Sequence, residues 1–285
     1  MTAELLSAGL IWAPAPVWLA VPDAAPRYTD FMPAPNPTQR FSSRVSNYVR
    51  YRPGYPAAVI DLLKKECGLN RSTVVADVAS GTGIFTRMLL ENGTRVFGVE
   101  PNPEMRKAGE EFLAAYPDFI SVNGTAEATT LPDHSVDLVT AAQAAHWFDL
   151  REARREFVRI LKPTGWAVLL WNERRIDSTP FLRDYEQLLL RHGTDYQNVR
   201  HERTTGEIET FFAPSPFQTG TFDYQQQFDY TALEGRLLSS SYTPQSDDVA
   251  YPPMLHELRK IFESHQVDGH VAFEYDSQVF YGRLS

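Results

Sequence analysis

The sequence predicts an α/β protein: a doubly wound sheet of about seven strands, mostly parallel with an antiparallel C-terminal strand, plus a helical cap. Three observations predict it. Between Pro56 and Trp171 helical and strand patterns alternate, the rhythm of a parallel sheet covered by helices. Thr73 to Ala79 is a short apolar run suited to a strand buried on both faces, and a glycine-bearing turn follows it. After residue 172 the rhythm gives way to two long strand patterns, Thr221–Tyr230 and His270–Phe280, with helical pieces between them.

In order along the chain, Ala57–Glu66 sets Val59, Leu62 and Leu63 on one helical face, and Gly68 ends it. The strand over Thr73–Ala79 leads to a helix from Ile84 to Asn92, closed by Gly93. Arg95–Val99 is the second strand and ends in Glu100; Pro103 then opens a helix running to about Ala115, a position where proline fits the first turn. Phe119–Val122 and Val136–Ala141 are the third and fourth strands, Leu150–Leu161 a helix stopped by Pro163 and Gly165, and Trp166–Trp171 the fifth strand. Phe181–Arg191 is an amphipathic helix, and Met254–Phe262 is the clearest of the later ones. Segments of about 176–220 and 231–265 are expected as cap insertions. Their aromatic neighbourhood (Phe211, Phe212, Phe217, Tyr242) is expected to suit an apolar or planar small molecule.

At 285 residues, 43% apolar and 22% charged, the chain has the composition of an ordinary globular protein. Its 27 Lys+Arg against 36 Asp+Glu give a net charge of −9, which argues against nucleic acid as a partner. The single cysteine, Cys67, leaves no intramolecular disulfide or cysteine metal cluster; no metal site is expected, and a reducing cytoplasm fits. Leu5–Val21 is apolar but interrupted by Pro14 and Pro16, with no basic leader before Arg27. Neither a spanning helix nor a secretory signal is therefore expected. Residues 1–38 read as a proline-rich, poorly ordered extension, and 39–285 as the folded domain.

The chemistry centres on Asp77–Gly83, which follows a buried strand and opens a helix. Gly81 and Gly83 lack a Cβ and let a ligand approach the backbone, while the helix points free N–H groups into that space. A carboxylate is welcome there, although a tight turn that binds nothing has the same pattern. Glu100 ends the next strand, 17 residues beyond Gly83, where a carboxylate can accept two hydrogen bonds from a ribose diol. No third glycine occurs between Gly83 and Gly93, which sets the chain apart from nicotinamide-binding Gly-x-Gly-x-x-Gly loops.

Five stretches in order resemble the class I S-adenosylmethionine-dependent methyltransferases, in the small-molecule branch similar to trans-aconitate methyltransferase, whose sheet is Rossmann-like. They are Tyr48–Pro56, Asp77–Gly83, Val99–Asn102, Gly124–Ala128 with Leu131-Pro132, and Ala141–Asp149. The resemblance implies S-adenosylmethionine as cofactor, with S-adenosylhomocysteine as product, and methyl transfer to a small-molecule acceptor, a carboxylate or hydroxyl among the candidates. It also implies roles. Asp77, Ala79, Ser80, Gly81 and Gly83 would contact the methionine part, and Glu100, beside Pro101, the ribose. Met105 would pack on adenine, with Thr125, Ala126 and Glu127 along its edge. Tyr48 and Arg52, in a lid segment 41–56, would lie over the cofactor carboxylate. Gln143 would join the cofactor site, and His146 and Trp147 would wall the acceptor, His146 as a base if geometry allows. Arg174 and Arg175 could clamp a substrate carboxylate or simply be solvated. Ala79 departs from the family's usual glycine, tolerable if its φ is negative, and Thr125 replaces an acidic residue often found there. A monomer or homodimer without membrane attachment is expected. A non-catalytic binder of the same cofactor is the rival reading; a nicotinamide oxidoreductase is more distant.

Overall fold

The computed structural model describes residues 50–196 and 205–284. The extension 1–38, Tyr48 and most of the expected lid segment lie outside the described residues. Among those described, no helix is long and apolar enough to cross a membrane.

The chain builds a seven-stranded sheet in the order β3-β2-β1-β4-β5-β7-β6. Its strands are β1 (Val74–Val78), β2 (Arg95–Val99), β3 (Phe119–Val122), β4 (Val136–Ala142), β5 (Leu161–Arg174), β6 (Phe217–Phe228) and β7 (Val271–Gly282). The helices are α1 (Ala57–Cys67), α2 (Ile84–Glu91), α3 (Pro103–Phe112), α4 (Leu150–Ile160), α5 (Pro180–His192), α6 (Thr205–Phe212), α7 (Tyr230–Leu238) and α8 (Tyr251–His265). The first five strands pair in parallel. β7 runs antiparallel to both β5 and β6 and is the reversed strand of the sheet.

Local chemistry accounts for the boundaries. Gly68 stops α1 in the left-handed conformation at φ 73°, as the sequence predicts. Asn102 caps α3 by accepting from the Met105 N–H, and Pro103 fills its first turn. Asp149 accepts the N–H groups of Arg151 and Glu152 at the start of α4. β5 is longer than the apolar run Trp166–Trp171 implied, starting directly at the end of α4. Pro163 and Gly165 sit in that entry, where the β4 register shifts between Val136 and Leu138, an irregularity that tolerates a proline. β6 likewise starts at Phe217 rather than Thr221, so the end of the expected first cap segment belongs to the sheet.

Alternating side chains of the sheet feed two layers. Ala76, Val78 and Val139 pack with Phe157 of α4 and with Ile208, Phe211 and Phe212 of α6. Val75 and Leu138 pack on the opposite side with Val59, Leu63, Phe85 and Leu89 of α1 and α2. A third core joins α5, α7 and α8 to Phe228, Val271, Phe273 and Tyr275 of β6 and β7. These three helices form the cap. α6 does not: Phe211 and Phe212 are 1% and 0% exposed and packed beneath the sheet. The expectation that they line an acceptor site is corrected, because α6 turns its apolar face onto α4 and leaves them no open side.

Candidate active site

The turn after β1 is anchored by Asp77. Its register opposite Thr140 of β4 brings the Thr140 hydroxyl to Oδ1 at 2.7 Å, while the Thr86 hydroxyl of α2 donates to Oδ2 at 2.6 Å. The carboxyl is buried, and burial raises its pKa to about 6 against the pull of these two donors. Beyond it the backbone turns through three left-handed residues, Ala79 (φ 55°), Gly81 (φ 57°) and Gly83 (φ 85°). The condition under which alanine would be tolerated without strain, a negative φ at Ala79, is not met: the residue holds a left-handed backbone that glycine adopts freely. A Cβ on Gly83 would stand 2.6 Å from Leu113 Cδ1, and its left-handed backbone would strain any side chain there. Gly83 also starts α2 without a side-chain cap, leaving first-turn N–H groups to face the space above the turn. The Thr82 hydroxyl is buried with no hydrogen-bond partner among the described residues.

Glu100 stands at the end of β2 beside this turn, 7% exposed. Its Oε2 accepts the Gly81 N–H at 2.9 Å and its Oε1 the Asn102 N–H at 2.8 Å. Burial raises its pKa, while those two N–H groups and the nearby Arg106 charge favour the ionised form. Each oxygen keeps lone-pair capacity for another donor. Met105 is buried, and its Cε approaches within 3.5 Å of where a Gly81 Cβ would be. Ala126 is buried in the sheet core, and Glu127 Oε1 accepts the Asp149 N–H at 3.0 Å, tying the adjacent loop to α4. Thr125 is exposed in a turn closed on Ala128, and Pro101 is half-buried beside Glu100.

A cleft opens over the carboxyl ends of the parallel strands. Arg52, Asp77, Ala79, Ser80, Gly81, Gln143 and Arg174 line it, as do Asn172, Arg236 and Tyr275, which the sequence reading missed. Gln143 is held left-handed at φ 58°, with its Nε2 on the Asn172 carbonyl at 3.2 Å. Asn172 is a hub: its Nδ2 donates to the Gly54 carbonyl at 2.7 Å and its Oδ1 accepts from the Ser277 hydroxyl at 2.5 Å. It pins the lead-in segment bearing Arg52, whose Nη2 reaches the Ser239 carbonyl at 3.0 Å. An asparagine closing the apolar run Trp166–Trp171 was the available signal. Arg236 and Tyr275 had none, because only tertiary folding pairs β7 with β5 and brings α7 to the same cleft.

Arg174, the last residue of β5, and Arg175, just past its end, part company. Arg174 enters the cleft rim, paired with Glu186 and within 3.1 Å of the Tyr196 hydroxyl. Arg175 points away and is engaged by Asp223 and Asp276, with Glu274 nearby. Its expected share in a substrate clamp is corrected, since those carboxylates on β6 and β7 already satisfy it. His146 and Trp147 sit on a short 3-10 turn, their rings 4.7 Å apart, and neither is among the cleft-lining residues. Among the described residues no cluster of His, Cys, Asp and Glu could hold a metal ion.

The order reversal between β1 and β4 places the glycine turn at a switch point, and an acidic residue closes the neighbouring strand. Together these are the arrangement found in α/β proteins that bind nucleosides at a switch point. Comparison with known proteins narrows the class. A family described as a methyltransferase domain matches residues 76–169. An uncharacterised methyltransferase of Mycobacterium tuberculosis is 33% identical over 79% of this chain and 86% of its own length. A methyltransferase-like protein of Schizosaccharomyces pombe is 33% identical over 54% of this chain and 59% of its own. Among solved structures, one from Anaeromyxobacter dehalogenans, described as a type II methyltransferase, superposes with a TM-score of 0.60 at 23% identity, covering 82% of this chain and 98% of that one. The chain belongs to the class I S-adenosylmethionine-dependent methyltransferases.

Proposed function

We propose that the chain binds S-adenosylmethionine across the Asp77–Gly83 turn and Glu100, and that it methylates a small molecule, a carboxylate or hydroxyl, by direct in-line displacement. The observation that carries this is the cleft itself, which runs from the turn to Gln143, Arg174 and Tyr275 without a break. The residues fit the cofactor. The orphaned Thr82 hydroxyl, the side-chain-free Gly81 and Gly83, and the free N–H groups of α2 are a polar cradle waiting for a partner.

When bound, S-adenosylmethionine supplies an electrophilic methyl on a sulfonium, already a good leaving group. The protein's part is then to position and to exclude water. Glu100, fixed by two backbone N–H groups, accepts from the ribose hydroxyls; Met105 covers the adenine, with Thr125, Ala126 and Glu127 at its edge. Asp77, Ala79 and Ser80 surround the methionine end, and Arg52, with Tyr48, covers its carboxylate. Gln143, in a strained backbone at the end of β4, holds the boundary between cofactor and acceptor. His146 and Trp147, on the turn just after Gln143, do not line the cleft and are given no contact with the acceptor. The cap of α5, α7 and α8 closes the acceptor end.

Calorimetry with S-adenosylmethionine, followed by a screen of carboxylic acids, phenols and amines for S-adenosylhomocysteine release, tests the proposal. Donor binding with turnover on at least one acceptor supports it. Donor binding without turnover across the panel favours a non-catalytic binder.

A further inference from the structure

The segment from Tyr51 to Tyr55 borders the cleft, with Arg52, Pro53 and Tyr55 among the lining residues. It is gripped between the sheet and the cap. On the sheet side the Gly54 carbonyl accepts Asn172 Nδ2 at 2.7 Å. Tyr55 is 8% exposed and meets Phe85 edge-on, with ring centroids 5.2 Å apart. On the cap side Arg52 Nη2 donates at 3.0 Å to the carbonyl of Ser239, the residue that closes α7. One residue earlier, the Tyr51 ring lies directly against α7 at Gly235, where a Cβ would overlap ring atoms Cδ2, Cε2 and Cζ.

Gly235 lies inside α7 and is buried. After proline, glycine is the residue least suited to a helix interior. No turn calls for it, since Gly235 is not among the glycines of positive φ. What it supplies is the absence of a side chain, and the Tyr51 ring fills that space. Ser239 stands four residues on, its N–H donating to the Gly235 carbonyl at 2.9 Å, so both positions lie on one face of the helix. Adjacent residues 51 and 52 thus grip successive turns of α7. The next residue of that helix, Arg236, itself lines the cleft.

We propose that Gly235 is a positioning residue for the methyl donor: its bare helix face seats the Tyr51 ring, and the seated ring holds Arg52 over the donor carboxylate. The inference rests on the proposed methyl-donor site, in which Arg52 covers that carboxylate. A guanidinium recognises a carboxylate through a planar set of N–H donors, so its aim matters as much as its charge. A larger residue at 235 displaces the ring, and with it the backbone from which Arg52 is aimed. The helix that borders the acceptor end therefore also sets affinity at the donor end, without touching the donor.

The test is isothermal calorimetry of the full-length protein with S-adenosylhomocysteine, on the wild type, Gly235→Ala, Arg52→Gln and the double variant, beside urea unfolding of each. Alanine favours the helix, so Gly235→Ala should keep or raise the urea midpoint. Its affinity for S-adenosylhomocysteine should nevertheless fall by about fivefold or more. Arg52→Gln should lose about tenfold or more, as expected when a charged hydrogen bond is removed. The double variant should stay within about twofold of Arg52→Gln, because Gly235 acts through Arg52. Should Gly235→Ala fail to fold, Tyr51→Ala takes its place, with the same loss and the same lack of additivity. Wild-type affinity in Gly235→Ala or in Arg52→Gln overturns the inference. So does a Gly235→Ala loss that adds in full to that of Arg52→Gln, the mark of a general disturbance of the cap. If the wild type binds no S-adenosylhomocysteine at all, the donor site has failed instead.

Discussion

At Ala79 an alanine holds a left-handed backbone that glycine would adopt freely. Such a conformation costs a residue with a Cβ about 1–2 kcal/mol, partly offset by the greater unfolded-state entropy of glycine. Ala79→Gly should therefore raise stability by about 0.5–1 kcal/mol in urea unfolding, with donor affinity unchanged or improved. Asp77 makes a second prediction at this scale. Its folded pKa of about 6 lies above the ordinary 3.8, so the folded state holds this proton more tightly than the unfolded chain does. Asp77 thus contributes most to stability when protonated, below the unfolded pKa, and that contribution declines as pH rises through 6. Binding of a cationic ligand has the opposite sign, because it needs the ionised carboxylate. Affinity for S-adenosylmethionine should fall by about tenfold between pH 7 and pH 5, and Asp77→Asn should flatten that profile. The turn was legible because its residue types carry their own constraint. The φ of Ala79 was not, since only the closed turn reveals the backbone it demands.

Individual elements show where periodicity suffices and where it stops. The helices and strands from residue 57 to 142 follow the sequence to within a few residues, because glycine, proline and capping side chains punctuate them. α6 shows the limit. Its paired phenylalanines are consistent with a ligand wall or with a core, and packing against Phe157 decides for the core. Phe212→Ala should accordingly lower stability by about 3–5 kcal/mol in denaturant unfolding while leaving donor and acceptor affinities of the folded protein unchanged. A selective loss of acceptor affinity at full stability would restore α6 to the site. β2 offers a companion test. A Cβ on Gly98 would lie 2.7 Å from Phe119 Cε2 and 3.2 Å from Ser80 Oγ. Gly98→Ala should cost about 1–3 kcal/mol by overpacking, read as a lowered melting temperature.

For the molecule as a whole, the parallel half of the sheet was legible and the cap half was not. β1, β2, β4 and β5 each come with a following or preceding helix in a short stretch of chain, so local pattern reveals the elements. The step from β3 to the β1–β4 pairing is a crossover. The pairing of β7 with β5 depends on contacts made more than a hundred residues apart, as does the Arg175 pairing with Asp276. The acceptor end follows the same division. Arg174 could be read from the chain as a candidate, whereas Arg236 and Tyr275 become neighbours only when the cap closes over β5. The donor end is local and the acceptor end is tertiary, which is why a sequence can name a methyl donor before it names what is methylated.

The central claim is that Glu100 and the glycine turn hold S-adenosylmethionine. Isothermal calorimetry on the wild type and on Glu100→Gln tests it most directly. The variant replaces one carboxylate oxygen with an amide that cannot accept, and hydrogen bonds to charged groups contribute about 1.5–3 kcal/mol. The account predicts saturable one-to-one binding to the wild type, weakened by at least tenfold in the variant, and no binding of NAD. Equal affinity in both proteins, or binding of NAD with none of S-adenosylmethionine, would contradict it.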